Sequence, residues 1–294
     1  MTCDLCPRNC GVDRDIQQGF CQTGLNPVVA KACVHNWEEP PISGTRGSGT
    51  VFFAGCNLRC VFCQNHAISR GKVGRIVTPA LLADVFFELA DKGVHNINLV
   101  TPSHILPAVA DAVGQAKKRG LTLPFVYNTN AYETVGALRR MDGLIDIYLP
   151  DLKYCDDEAA RRYSDAPGYF DIATKAILEM VRQNSQAVFD DDGVMRRGLI
   201  IRHLVLPGRR KDAMRILDWI ADHVPDACVS LMAQYFPAYR AYEFQEINRR
   251  VTTFEYQSVV QYFTGLGLKN GFMQDAKSAV PDYVPDWDCV SNEE

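Results

Sequence analysis

The run Gly55-Cys56-Asn57-Leu58-Arg59-Cys60-Val61-Phe62-Cys63 places three thiols within eight residues, spaced C-x3-C-x2-C. A loop of that length turns three thiolates onto one small centre, and Gly55 lets the backbone bend sharply ahead of the first. Soft thiolate donors suit zinc or an iron–sulfur cluster. A closed structural metal site takes four protein ligands, and His66 is the nearby candidate for a fourth. Three thiolates on a four-iron cluster instead leave one iron open. An open coordination position is what a reactive centre keeps.

A second group lies upstream. Eight of the 11 cysteines fall in the first 63 residues, and Cys3, Cys6, Cys10 and Cys21 supply four thiols in a stretch with little apolar sequence. Segments below about 40 residues rarely build a core unaided, and a bound metal is a common remedy. Pro7, Gly11, Gly19 and Gly24 supply the turns a metal knuckle needs. Three readings stand side by side: a four-cysteine zinc site, a second iron–sulfur cluster passing electrons to the first, or reduced, unliganded thiols. Cys33 is a substitute ligand or a buried thiol, and Cys155, Cys228 and Cys289 read as small buried hydrophobes.

The elements that must hold these groups alternate in type. Strand-like runs occur near 50–54, 96–101, 124–128, 144–149, 199–206 and 228–233. Thr78-Pro79 marks a helix start, with Leu81, Leu82, Val85, Phe86 and Leu89 at helical spacing up to Gly93. Further helical patterns lie near 106–119, 132–141, 170–183, 211–223 and 244–265. Six strands with intervening helices imply βαβ units and a parallel sheet, whose active groups gather at the strand carboxyl ends. Those ends carry Cys56, Thr101, Ser103, His104, Asn128, Asp151, Lys153, Pro207 and Gln234, a polar rim. The organisation expected is a Cys-rich module with its connection at 1–49, a barrel at 50–268 and a tail at 269–294.

Taken with the strand before it and the βα series after it, the cysteine run resembles that of the radical S-adenosylmethionine (SAM) enzymes, whose motif is C-x3-C-x-aromatic-C. Phe62 stands at the aromatic position. The resemblance implies a partial (β/α)6 barrel, a [4Fe-4S] cluster on Cys56, Cys60 and Cys63, and SAM chelating the fourth iron. One electron from such a cluster cleaves SAM to methionine and a 5′-deoxyadenosyl radical. Within that family the chain resembles relatives of pyruvate formate-lyase activating enzyme. Residues 63–69, Leu149-Pro150-Asp151-Leu152-Lys153 and Ile201-Arg202-His203-Leu204-Val205-Leu206-Pro207-Gly208 carry that likeness. It implies SAM contacts from Phe62, Thr101, Ser103, Asn128, Asp151, Lys153 and Arg202, with Arg202 able to hold a carboxylate bidentately. Two departures stand out. The Gly-Gly-Glu that many of these enzymes use for the SAM amine is missing from 98–104, so Thr101, Ser103 and backbone carbonyls are the stand-ins. No cysteine lies between Cys63 and Cys155, where glycyl-radical activators with extra clusters carry theirs.

The implied function is reductive SAM cleavage, with activation of a glycyl radical enzyme as the leading subtype and a flavodoxin- or ferredoxin-like reductant as electron donor. Radical chemistry on a small molecule or peptide is the alternative. A non-catalytic iron–sulfur or zinc electron-transfer protein is the competitor from another class. Lys plus Arg total 31 against 35 Asp plus Glu, a net charge of -4, which argues against nucleic-acid or membrane partners. The start lacks a signal-peptide pattern and no apolar run approaches the ~20 residues of a membrane helix, so a cytoplasmic, reducing location is expected.

Overall fold

The computed structural model of the chain describes residues 3–70, 73–268 and 270–273. Its strands are β1 (Val28–His35), β2 (Ser48–Phe53), β3 (Arg75–Ile76), β4 (Ile97–Val100), β5 (Phe125–Thr129), β6 (Ile147–Pro150), β7 (Val188–Phe189), β8 (Met195–Leu204), β9 (Cys228–Met232) and β10 (Gly271–Met273). The helices are α1 (Pro40–Ser43), α2 (His66–Ser69), α3 (Pro79–Ala90), α4 (Leu106–Lys118), α5 (Val135–Leu138), α6 (Asp157–Ser164), α7 (Tyr169–Gln183), α8 (Arg210–His223) and α9 (Thr253–Gly265).

Strands β2, β4, β5, β6, β8 and β9 lie side by side and all parallel, the partial (β/α)6 barrel. β10 adds a further parallel strand beside β9, while β1 pairs antiparallel with β2 and β3 with β1. The sheet therefore extends through β1 and β3 beyond the six barrel strands, so that residues 28–35 of the expected N-terminal module belong to it. The expected tail falls mostly on residues 274–294, which lie outside the described residues, as does Cys289.

Alternation along the strands sorts the side chains. Phe125, Tyr127 and Tyr148 face the large core beneath the helices, together with Leu82, Phe86 and Ile216. Val126, Ile147, Leu149, Ile200 and Cys228 face inward and form a second apolar cluster with Ile42 of α1. Two residues further along the same inward rows stand Asn128, Asp151 and Arg202, all on the wall of one cavity. On β5, β6 and β8 the inward rows are thus apolar low in the barrel and polar at the carboxyl ends, whereas low on β2 and around the start of β4 Ser48, Thr50, Asn96 and Asn98 are buried polar residues.

Segment 36–49, read from sequence as a connection, has a larger part in its first half. β1 ends with His35 opposite Ser48, at the amino end of β2. The chain then enters the barrel interior, where Ile42 joins the inward apolar cluster and Asn96 Nδ2 donates to the Ile42 carbonyl at 2.7 Å.

Local signals account for most helix boundaries. Thr78 caps α3 by accepting from the Leu81 amide, and Pro79 starts it. α9 begins only at Thr253, not near 244, because Thr252 and Glu255 form a reciprocal capping box that fixes the first turn there. The pattern at 132–141 reduces to α5 and a short 3-10 turn. Helix α6, with little apolar sequence to signal it, is capped by Asp156.

His203 is buried, with Nδ1 placed 2.7 Å from the Leu152 carbonyl and Nε2 without a partner. Burial lowers its pKa from 6.5 to about 4. A depressed folded pKa means that the unfolded chain binds the proton first. Its stabilising effect is therefore complete above pH 6.5 and is lost as pH falls towards 4, by roughly 3 kcal/mol. His203→Asn keeps an N–H donor for Leu152 but cannot take up the proton. Denaturant unfolding at pH 7.5 and 4.5 should show a smaller acid loss for that variant; an identical loss would contradict the assignment.

Candidate active site

The loop after β2 is closed at its neck, where the Gly55 N–H meets the Ile68 carbonyl at 2.9 Å. Gly55 has φ +88, and a Cβ there would stand 2.7 Å from the Cys21 carbonyl oxygen. Both conditions require glycine. Leu58, Val61 and Phe62 are buried in the large core, Phe62 edge-on to Tyr235 at 5.6 Å. The Arg59 and Val61 amides bond the Ser164 and Tyr163 carbonyls at the end of α6 at 3.0 and 2.8 Å. Anchored at both ends and along its length, the loop turns Cys56, Cys60 and Cys63 onto one cavity of about 260 Å3.

The sulfurs carry hydrogen-bond donors of their own. Ser164 Oγ donates to Cys60 Sγ at 3.0 Å, and the Leu58 amide to Cys56 Sγ at 3.4 Å. Asn130 Nδ2 lies 3.6 Å from Cys56 Sγ and 2.9 Å from Asn57 Oδ1. Burial, together with the neighbouring thiols, pushes Cys56 up to about 11 and Cys63 up to about 12. Thiols that resist ionisation on their own, as Cys56 and Cys63 do, suit a cationic iron centre that replaces their protons. The donor set fits a [4Fe-4S] cluster with one open iron. His66 is not on the cavity wall: it is exposed and stacks on Tyr239 at 4.9 Å.

Across the cavity lies a cluster of charges centred on Arg202. Its Nε meets Asp151 Oδ1 at 2.8 Å, Nη2 meets Asn128 Oδ1 at 2.6 Å, and Nη1 lies 3.3 Å from Glu38 and 3.7 Å from Glu39. Lys153 Nζ meets the other Asp151 oxygen at 2.7 Å. Glu38 also accepts from Asn98 at 3.0 Å and Asn128 at 3.2 Å. Burial raises the Asp151 carboxyl, but Arg202 and Lys153 outweigh it and hold the group below its ordinary value. Glu38 and Glu39 go the other way, because burial exceeds the pull of Arg202, and Glu39 rises to about 7. Tyr169 braces this wall: its hydroxyl sits 2.6 Å from the Asp151 carbonyl and accepts from the Lys153 amide at 3.0 Å.

Of the residues expected to contact SAM, Phe62, Thr101, Asn128, Asp151, Lys153 and Arg202 line this cavity with the three cysteines. Thr101 does so at φ 60, costly for a β-branched residue and held by its amide bond to the Asn128 carbonyl at 2.9 Å. Ser103 is not brought there. Its hydroxyl is 3.0 Å from Glu133, which also takes bonds from Tyr127 and Thr129, so it is consumed in a buried network behind the strand ends. Glu38 was missed. The turn residues around it mark a connection, and nothing local shows that this turn enters the barrel.

Residues 50–234 match the Radical SAM superfamily. This chain belongs to the radical SAM superfamily. It is 30% identical over 269 residues to an uncharacterized protein of Methanocaldococcus jannaschii, an alignment that covers 88% of this chain and 73% of that protein. SuiB from Streptococcus suis, solved with S-adenosylmethionine bound, shares the fold with a TM-score of 0.53 at 12% identity. That alignment covers 77% of this chain and 50% of SuiB. A domain of pyruvate-formate lyase-activating enzyme from Bacteroides vulgatus aligns over 58% of this chain and 91% of that one, at 14% identity and a TM-score of 0.42. Superfamily membership brings the [4Fe-4S] cluster, SAM and its reductive cleavage.

The hydrogen bond from Ser164 should favour the reduced, more negative cluster. One such bond is worth about 1 kcal/mol, or roughly 40 mV for a one-electron couple. Ser164→Ala should therefore lower the cluster potential by that order, read by redox titration with electron paramagnetic resonance. An unchanged potential would show that the contact does not tune the centre.

Proposed function

We propose that this chain binds SAM between the Cys56, Cys60 and Cys63 loop and the Arg202 cluster, and directs the resulting radical at a glycine of a protein partner, a glycyl radical enzyme. The observation that carries the reading is the meeting of three thiols and a buried set of paired charges on one cavity. SAM has a carboxylate, an ammonium and a sulfonium. Arg202 and Lys153 suit the first, and Glu38 and Asp151 suit the other two.

When bound, the cluster supplies the electron that breaks a carbon–sulfur bond of SAM. The chain's own residues position and shield. Asp151 keeps Arg202 and Lys153 oriented, Asn128 fixes the third arm of the guanidinium, and Ser164 and Asn130 orient two of the sulfurs. Leu58, Phe62, Met232 and Tyr235 present apolar surface that keeps water from a reactive radical.

The choice of a protein target is supported by the likeness of residues 63–69, 149–153 and 201–208 to glycyl-radical activators. Gln64, Asn65 and Gln234 also line the cavity, and their uncharged amides can bond an incoming peptide backbone. A flavodoxin- or ferredoxin-like protein is the proposed electron donor.

Anaerobic reconstitution with iron, sulfide, SAM and dithionite should yield 5′-deoxyadenosine from the wild-type chain and none from the Cys56→Ala, Cys60→Ala, Cys63→Ala triple variant. With a candidate glycyl radical enzyme deuterated at glycine, deuterium should move into 5′-deoxyadenosine and a glycyl radical doublet should appear. Deoxyadenosine without either signal would remove the protein-target reading and leave small-molecule or peptide chemistry. Arg202→Lys loses the fork that bridges Asp151 and Asn128, so SAM should bind at least about tenfold more weakly. Equilibrium binding to cluster-loaded protein checks this, and unchanged affinity would take Arg202 out of the SAM site.

A further inference from the structure

The four upstream cysteines meet in space. Cys3, Cys6, Cys10 and Cys21 line one small cavity with Arg8 and Arg14. A Cβ on Gly19 would stand 3.3 Å from Cys10 Sγ and 3.5 Å from Cys21 Sγ, so both sulfurs pack against that glycine. Cys10 lies in hydrogen-bonding reach of Cys3, and Cys6 neighbours both Cys3 and Cys21. Tight turns bring them there: the Cys3 amide bonds the Val12 carbonyl at 2.9 Å, Asn9 the Cys6 carbonyl at 3.0 Å, and Gln22 the Gly19 carbonyl at 2.9 Å. Asn9, Gly11 and Gln22 all take positive φ.

Little else holds this segment. Among the described residues no helix or strand precedes Val28, and Ile16 is 82% exposed. A stretch without a core still keeps four thiols together, which is the arrangement a metal ion stabilises. Four thiols are the full ligand set of a closed tetrahedral site, and the cavity they line is small, about 10 Å3. We propose that Cys3, Cys6, Cys10 and Cys21 bind one zinc ion in a closed tetrahedral site. Binding releases four protons and leaves a complex of charge -2, offset by Arg8 and Arg14 in the wall.

The site grips the cluster loop. Phe20, next to Cys21, lies between the guanidinium groups of Arg8 and Arg59, each 3.9 Å from its ring centre. Arg8 donates to the Asn57 carbonyl at 2.7 Å, and Arg59 to the Cys56 carbonyl at 2.9 Å and to the Phe20 carbonyl. The Cys21 carbonyl sits against Gly55. Zinc therefore fixes two turns that clamp the residues flanking the first cluster ligand.

The test uses the full chain and does not depend on SAM chemistry. The Cys56→Ala, Cys60→Ala, Cys63→Ala variant should retain about one zinc and no iron per chain, and cobalt(II) substituted for zinc should give tetrahedral, thiolate-type absorption bands. Adding Cys6→Ser and Cys21→Ser should bring zinc to background, while Cys33→Ser should leave it unchanged. In the background that lacks Cys56, Cys60 and Cys63, the Cys6→Ser, Cys21→Ser variant should exchange its amides at residues 56–63 about tenfold faster than its zinc-loaded parent. About four irons remaining in the triple variant would replace zinc with a second cluster. No metal at all, or zinc that persists after Cys6→Ser and Cys21→Ser, would overturn the site, whatever the outcome of the deoxyadenosine assay.

Discussion

A guanidinium enclosed in the barrel must be fully paired, and Arg202 imposes that demand on four segments at once. It takes Asp151 from the end of β6, Asn128 from β5, and Glu38 and Glu39 from the turn after β1, while standing on β8 itself. Removing one partner from such a buried set costs about 3–5 kcal/mol, because the remaining charge is stranded. The strand ends, and the turn that enters the barrel, are therefore fixed relative to one another by one side chain. Glu38, Glu39 and Asp151 face Arg202 and Lys153 in this cluster, and burial leaves Glu38 and Glu39 more easily protonated than free carboxyls.

Opposite this wall, the same economy of contacts governs the cysteine loop. Its apolar residues are spent on the core, so its thiols are free to face the cavity. Leu58, Val61 and Phe62 pull the loop down, and the amide bonds to Tyr163 and Ser164 hold it on α6. Cys56 and Cys63 then sit where burial disfavours a bare thiolate and an iron-bound one is accommodated. Packing decides the position of these groups, and burial decides their chemistry.

The upstream cysteines and the cluster loop form one mechanical unit. Arg8 and Arg59 enclose Phe20 and bond successive carbonyls of the loop, so order in the first residues is transmitted to Cys56 without a continuous sheet between them. Gly55 marks the point of contact, since any side chain there would strike Cys21 or Thr23.

What the sequence by itself determined was local. The spacing of Cys56, Cys60 and Cys63, with Phe62 between, depends on neighbours a few residues apart and reads directly. So do the six parallel strands and the cap at Thr78, because strand period and capping are short-range properties. The polar strand ends pointed to Thr101, Asn128, Asp151 and Lys153 for the same reason, and the likeness of residues 201–208 to the family pointed to Arg202. Only the tertiary structure decided which of these residues share a wall. Ser103, two positions from Thr101, turns away to Glu133, and Glu38 arrives from a turn whose residues mark nothing but a loop. Strand β1 and the path of 36–44 likewise depend on pairing with β2 and on filling the barrel interior. Those are contacts across long stretches of chain, and their energy comes from burial and charge pairing that no short window of sequence contains.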